Sequence, residues 1–196
     1  ACVTCWRTEQ HATRSPRTAY TQRMKAQGIV GTAGDHPRSM TWAFSNTCNF
    51  ACRTCFLQYS TGWMRETRLL AEQGDQQMQS DLDRYEKQPW DQIRLEEVMP
   101  HLPHLEQLEL FGGETLISTK LPQLLETIVS SGHAEHIDLV LTTNGSQPPK
   151  PWMIKLFAQF RSVQLTFSID AVTEDTFRYV RTGDWQQVQQ SIDQWF

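Results

Sequence analysis

Three cysteines, Cys48, Cys52 and Cys55, stand in the run TCNFACRTCF at the spacing C-x3-C-x2-C. Thiolates this close together on one loop form a soft donor set, suited to iron–sulfur clusters or zinc rather than to hard cations. Most 4Fe–4S cubes take four cysteine ligands. Three would leave one iron with an open coordination position, the feature that separates catalytic from structural metal sites. The same cysteines fall at i, i+4 and i+7, so on a helix they would line one face, where free cysteine serves as a small core residue. Asn46, Thr47 and Asn49 argue against a helix through Cys48, because their side chains compete with helical backbone bonds.

The elements that must position this loop read as a β/α repeat. Trp42-Ala43-Phe44 is an apolar run before the loop, broken by Ser45-Asn46-Thr47. Arg65–Glu72 reads as a short helix, Gly74–Lys87 as polar and exposed, and Trp90–Met99 as a helix ended by Pro100. Leu108 and Leu110 alternate with Glu109, as in a strand, and Phe111 extends the run. A helix over Thr119–Ser131 follows, with Gly132 as its stop. His136–Leu141 is the third strand, and Pro151 opens a helix that can pack Met153, Ile154, Phe157 and Phe160. Val163, Leu165 and Phe167 alternate in the fourth strand, over Ser162–Asp170. Asp184 can cap a last helix carrying Trp185, Val188, Ile192 and Trp195. Alternating strands and helices predict a parallel sheet with right-handed crossovers.

Further chemistry sits where these strands end. Gly112-Gly113-Glu114 offers a strip without side chains, where a ligand can lie against backbone, beside a carboxylate that can meet an ammonium. Thr142-Thr143-Asn144-Gly145 ends in a turn signal. Ser168-Ile169-Asp170 places two polar side chains after the fourth strand. Arg181 can clamp a carboxylate bidentately; a surface ion pair is the plainer use of such a residue. In parallel sheets ligands bind at the carboxyl ends of the strands. The cysteine loop, Gly112–Glu114, Asn144 and Ser168–Asp170 therefore belong on one rim.

Taken together, Cys48-x3-Cys52-x2-Cys55 and the downstream Gly-Gly-Glu resemble the radical SAM superfamily. The resemblance covers residues 41–196. It implies a partial (β/α) barrel of that type, with about four βα units read here. It implies a 4Fe–4S cluster on Cys48, Cys52 and Cys55, with S-adenosylmethionine (SAM) on the fourth iron. Reductive cleavage of SAM would give a 5′-deoxyadenosyl radical that abstracts hydrogen from substrate. Gly112, Gly113 and Glu114 would hold the SAM amino group, and Asn144 would lie beside it. Ser168 and Asp170 would reach the ribose or methionine carboxylate, and Arg181 would pair with that carboxylate. Two positions depart from the family pattern. Thr54 stands where an aromatic usually packs near the adenine, and Thr115 where a proline usually follows the Gly-Gly-Glu.

Residues 1–40 read as a separate, loosely structured segment. Cys2-Val3-Thr4-Cys5-Trp6, with Glu9, Ser15 and Arg17, resembles the segment preceding the barrel in twitch-domain members of the superfamily. Gly28, Gly31, Gly34 and Pro37 read as a linker. Those relatives imply a peptide or a small molecule as substrate, and an external one-electron reductant. The start at Ala1 and the end after a fourth helix lead us to expect a fragment.

The chain has 196 residues, 39% of them hydrophobic and 20% charged, which fits a globular protein. Its net charge of −4 argues against a general nucleic-acid binder. No run approaches a membrane span of roughly 18 apolar residues. All five cysteines lie within the first 55 residues, which points to metal binding in a reducing cytoplasm rather than to a disulfide framework. Two rival readings stay open: a structural zinc or iron–sulfur module, the zinc form held by Cys2, Cys5 and two of the later cysteines, and a catalytically silent relative.

Overall fold

The structure, a computed structural model, describes residues 3–11, 14–26, 36–87 and 95–196. Its contacts divide the chain into two units, Ala1–His36 and Pro37–Phe196. Among the described residues, the first holds the helices α1 (Val3–His11) and α2 (Pro16–Ala26), where the sequence suggests loose structure. Pro16 suits the first helical position, where its missing N–H would have no partner anyway. Arg17 joins the two helices: it pairs with Glu9, which also accepts from the Ser15 hydroxyl, and stacks 4.7 Å from the Trp6 ring centre. Cys2 and the linker glycines lie outside the described residues, so the Cys2–Cys5 pair has no structural account.

The second unit is built on four parallel strands in the order β1-β2-β3-β4. They are β1 (Ser39–Ala43), β2 (Gln107–Phe111), β3 (Asp138–Thr143) and β4 (Ser162–Phe167). Each strand pairs with the next in sequence, as in the wall of a barrel; a doubly wound sheet would reverse its strand order at a switch point. The register sets matching side chains in rows. Trp42, Leu110, Leu141 and Leu165 form one row, and Met40, Leu108, Leu139 and Val163 another. Leu108, Leu110, Leu139 and Leu141 are fully buried.

Helices join the strands, and several of them add side chains to the core of this wall. Between β1 and β2 come α3 (Met64–Glu72), α4 (Gln76–Lys87) and α5 (Leu95–Val98), the last running into a 3-10 turn that ends at His104. The polar stretch after Gly74 is therefore helical, though α4 buries no residue. The first half of the helix expected from Trp90 lies outside the described residues. After β2, α6 (Leu121–Ser130) buries Leu121, Leu124, Leu125 and Ile128 against the sheet. Gly132 closes it with φ +75°, a left-handed backbone that glycine adopts without strain. After β3, α7 (Pro151–Phe157) buries Met153 and Phe157, while Ile154 points outward and is half exposed.

After β4 come two helices, α8 (Glu174–Arg181) and α9 (Trp185–Asp193). Asp184 caps α9 by accepting from the Gln187 N–H at 2.9 Å. Helix α8 is absent from the expected elements, although its signals are present in the sequence. Thr173 caps it, Glu174 and Asp175 sit in its first turn where the helix dipole favours carboxylates, and Arg178 and Arg181 in its last. Among the described residues no helix is long and apolar enough to cross a membrane.

Candidate active site

The loop after β1 is neither helix nor strand. Residues 44–60 run through bends and turns, so the three cysteines do not form a helical stripe. The loop's shape comes from donors and acceptors on both sides of it. On one side, the Cys48 N–H donates to Thr61 Oγ1 at 3.0 Å, the Ser60 hydroxyl to the Phe50 carbonyl at 2.6 Å, and the Trp63 indole to the Cys52 carbonyl at 3.1 Å. On the other, the end of α8 takes hold of it. The Ala51 N–H donates to Thr182 Oγ1 at 3.0 Å and the Arg53 N–H to the Val180 carbonyl at 2.8 Å. A Cβ on Gly62 would lie 2.2 Å from the Phe50 carbonyl oxygen, so only glycine lets this turn approach.

Cys48, Cys52 and Cys55 line a cavity of about 300 Å³, and Gly112, Gly113, Asn144, Ser168 and Arg181 line the same cavity. Loops following all four strands thus meet on one rim. The glycines serve a close approach that the sequence did not specify. Gly112 has φ +101° and Gly113 φ +58°. A Cβ on Gly112 would lie 2.5 Å from the Ser45 oxygen, and one on Gly113 2.3 Å from the Thr47 oxygen. The space a side chain would need is filled by the backbone of the cysteine loop itself. The Glu114 N–H donates to the Thr47 carbonyl at 2.8 Å and fixes the contact.

Glu114 lies behind the rim rather than on the cavity wall. It is fully buried, and its carboxylate accepts from the Leu116 N–H at 3.0 Å, the Thr143 hydroxyl at 2.7 Å and the Asn144 N–H at 2.5 Å. Burial pushes its pKa above the ordinary carboxylate value, against the pull of these three donors. Through these bonds Glu114 ties the end of β3 to the glycine turn.

Asn144 faces the cavity but shares its amide with the chain. Its Nδ2 donates to Asn49 Oδ1 at 2.9 Å, its Oδ1 accepts from the Ser146 N–H at 2.9 Å, and Asn49 Nδ2 donates to Ser146 Oγ at 3.0 Å. This closed ring ties the cysteine loop to the β3 end. From sequence, Asn49 reads only as a helix breaker; its place directly after Cys48 is the available signal. Ser168 lines the cavity and its N–H donates to the Thr143 carbonyl at 2.8 Å. Asp170, with φ +57°, is absent from the wall, and its half-exposed carboxylate stands 2.8 Å from Arg181 Nε. That contact is an ion pair by distance without the directionality of a hydrogen bond. Arg181 reaches inward, its side chain 11% exposed, and donates to Cys52 Sγ at 3.5 Å and to the Ser168 carbonyl.

This donor set fits a thiolate-bound cluster. All three thiols are free, and burial pushes Cys48 and Cys55 above the ordinary thiol pKa, so metal must displace their protons. Two N–H groups already point at sulfur: Phe50 N at 3.5 Å from Cys48 Sγ, and Arg181 Nη1 on Cys52. Among the described residues no three His, Cys, Asp or Glu side chains gather tightly enough for a single metal ion. A cube sets its irons at separate corners and asks for thiolates spread around a cavity. Phe56 and Tyr59 line the same cavity, with ring centres 5.0 Å apart and edge to face, near Thr54.

A family model for the Radical SAM superfamily matches residues 42–195. The chain belongs to that superfamily, whose members use SAM and an iron–sulfur cluster. A GTP 3′,8-cyclase of Syntrophomonas wolfei subsp. wolfei (strain DSM 2245B / Goettingen) is 23% identical over 164 residues, covering 80% of this chain and 43% of the relative. Two solved structures of Streptococcus suis SuiB, one bound to SAM and one to precursor peptide SuiA, match at TM-score 0.45 and 14% identity. Each match covers 87% of this chain, and 31% and 32% of the respective SuiB chains. The chain thus spans less than half the length of the relatives it matches.

Proposed function

We propose that this chain carries the cofactor-binding half of a radical SAM active site. Cys48, Cys52 and Cys55 would hold three irons of a 4Fe–4S cluster and leave the fourth open to SAM. The observation that carries this reading is the convergence of the three thiols, the Gly112-Gly113 turn and Arg181 on one cavity. When bound, the reduced cluster and SAM supply a carbon radical able to abstract hydrogen from a substrate.

The chain's own residues bind and orient. Gly112 and Gly113 present backbone rather than side chains to the amino end of SAM. Glu114 supports this turn from behind through its three hydrogen bonds. Ser168 and the unused N–H groups of Arg181 face the carboxylate end. Asn144, locked to Asn49, keeps the loop and the β3 end in register. Asp170 acts on Arg181 rather than on the ligand. Phe56, half exposed, and Tyr59 give the wall an aromatic surface beside Thr54, for an adenine ring or for the peptide or small-molecule substrate. The electron comes from an external one-electron donor.

The test is anaerobic reconstitution with iron and sulfide, followed by dithionite and SAM, with 5′-deoxyadenosine as the readout. The parent chain is expected to form it and Cys52→Ala to fail. A full cluster without 5′-deoxyadenosine would make the chain a silent relative. Tight zinc with no cluster would make it a structural module.

A further inference from the structure

The geometry points to Arg181 as the residue that sets the reduction potential of the cluster, through a charge-assisted hydrogen bond to the Cys52 sulfur. This rests on the proposed cluster at Cys48, Cys52 and Cys55, and goes beyond the carboxylate contact expected of Arg181. Nη1 donates to Cys52 Sγ at 3.5 Å, Nη2 donates to the Ser168 carbonyl, and Nε stands 2.8 Å from Asp170 Oδ2. Three contacts along the fork hold the guanidinium in place, and its side chain is only 11% exposed. A buried full charge held against a ligand sulfur is weakly screened.

Hydrogen bonds to the sulfurs, net charge and solvent exposure set the potential of an iron–sulfur cluster. Reduction adds one electron, taken from a low-potential one-electron donor; no bond breaks and no proton moves. The added negative charge spreads onto the thiolate sulfurs. A cation on Cys52 Sγ stabilises that reduced form. At the sulfur itself the Arg181 carbonyl opposes it: this group accepts from the Cys52 thiol at 3.4 Å and faces the sulfur once its proton is gone. Its partial charge is smaller than the guanidinium's full one. Asp170 works against Arg181 from the solvent side, since its carboxylate is half exposed and close to Nε. The pair therefore makes two predictions of opposite sign, which a purely structural role would not.

The measurement is the midpoint potential of the reconstituted full chain without SAM, from an anaerobic redox titration followed by electron paramagnetic resonance. Arg181→Gln should lower the ratio of reduced to oxidised cluster about tenfold at the parent's midpoint, equivalent to about 59 mV for one electron. Arg181→Lys should move the midpoint less, in the same direction. Asp170→Asn should move it the opposite way. If Arg181→Gln assembles no cluster, the exposed Asp170→Asn decides alone. Unmoved midpoints overturn the inference, even if SAM affinity falls, because Arg181 would then act on the ligand only. A parent chain that assembles no cluster defeats the proposed function itself, and this inference with it.

Discussion

Gly113→Ala tests whether the glycine turn is shaped by the cysteine loop. The new Cβ would stand 2.3 Å from the Thr47 oxygen and 2.6 Å from the Asn46 carbonyl carbon. Both are backbone atoms, which cannot rotate aside as a side-chain tip can. The left-handed φ of +58° adds a conformational penalty of about 1–2 kcal/mol for a residue with a Cβ. Overpacking adds about 1–3 kcal/mol. Relief by moving the turn would break the Gly113 N–H bond to the Tyr59 carbonyl at 3.1 Å and the Glu114 N–H bond to the Thr47 carbonyl. Each is worth about 1 kcal/mol. The expected loss is therefore about 2–5 kcal/mol, a large share of a typical domain's stability. Gly132→Ala is the matched control: its φ is +75°, but nothing lies within 4 Å of the new Cβ, so only the conformational part remains. Urea unfolding of both variants isolates the clash, and iron bound after reconstitution shows whether the loop is displaced. If Gly113→Ala is no less stable than Gly132→Ala and loads as much iron as the parent, the reasoning fails.

Glu114→Gln keeps the size but turns an amide N–H toward one of three donors, at a cost of about 1–3 kcal/mol. Because burial raises the Glu114 pKa above 4.5, the parent's extra stability is full below that value and is lost as pH rises through the folded pKa. Its urea midpoint should therefore fall relative to that of Glu114→Gln between acidic and neutral pH. Asn49→Ala opens the ring with Asn144 and Ser146; it should destabilise by about 1–3 kcal/mol and lower the iron loaded per chain. At the opposite end of the sheet, the Arg161 guanidinium, with help from the Ser162 hydroxyl, holds Asp138 down at about 2. That stabilisation is present above the unfolded value of 3.8 and is lost as pH falls toward 2. Arg161→Ala should remove a small, salt-sensitive part of it at neutral pH and converge with the parent in acid, followed by urea unfolding across the pH series.

The strands were legible because β2 and β3 alternate or run apolar where the sheet buries them; the rows that Leu108, Leu110, Leu139 and Leu141 form came only with the register. The helix at α6 and its stop at Gly132 were legible too. What escaped were features decided by contacts distant in sequence. Nothing local says that α8 ends against the cysteine loop, or that Thr182 receives the Ala51 N–H across 131 residues. Glu114 and Asp170 are acidic residues at strand ends, and sequence could not tell a carboxylate facing the cavity from one buried behind it or one paired outside it. The polar composition of α4 hid its helix, since a helix that buries nothing shows no core stripe.

The most direct measurement is electron–nuclear double resonance on the reduced, reconstituted chain, with SAM labelled at its amino nitrogen. Three cysteine sulfurs and one open iron predict a hyperfine coupling between the cluster and the label, absent from Cys52→Ala. A fully loaded, reduced cluster that binds SAM without any coupling to the label would contradict the account.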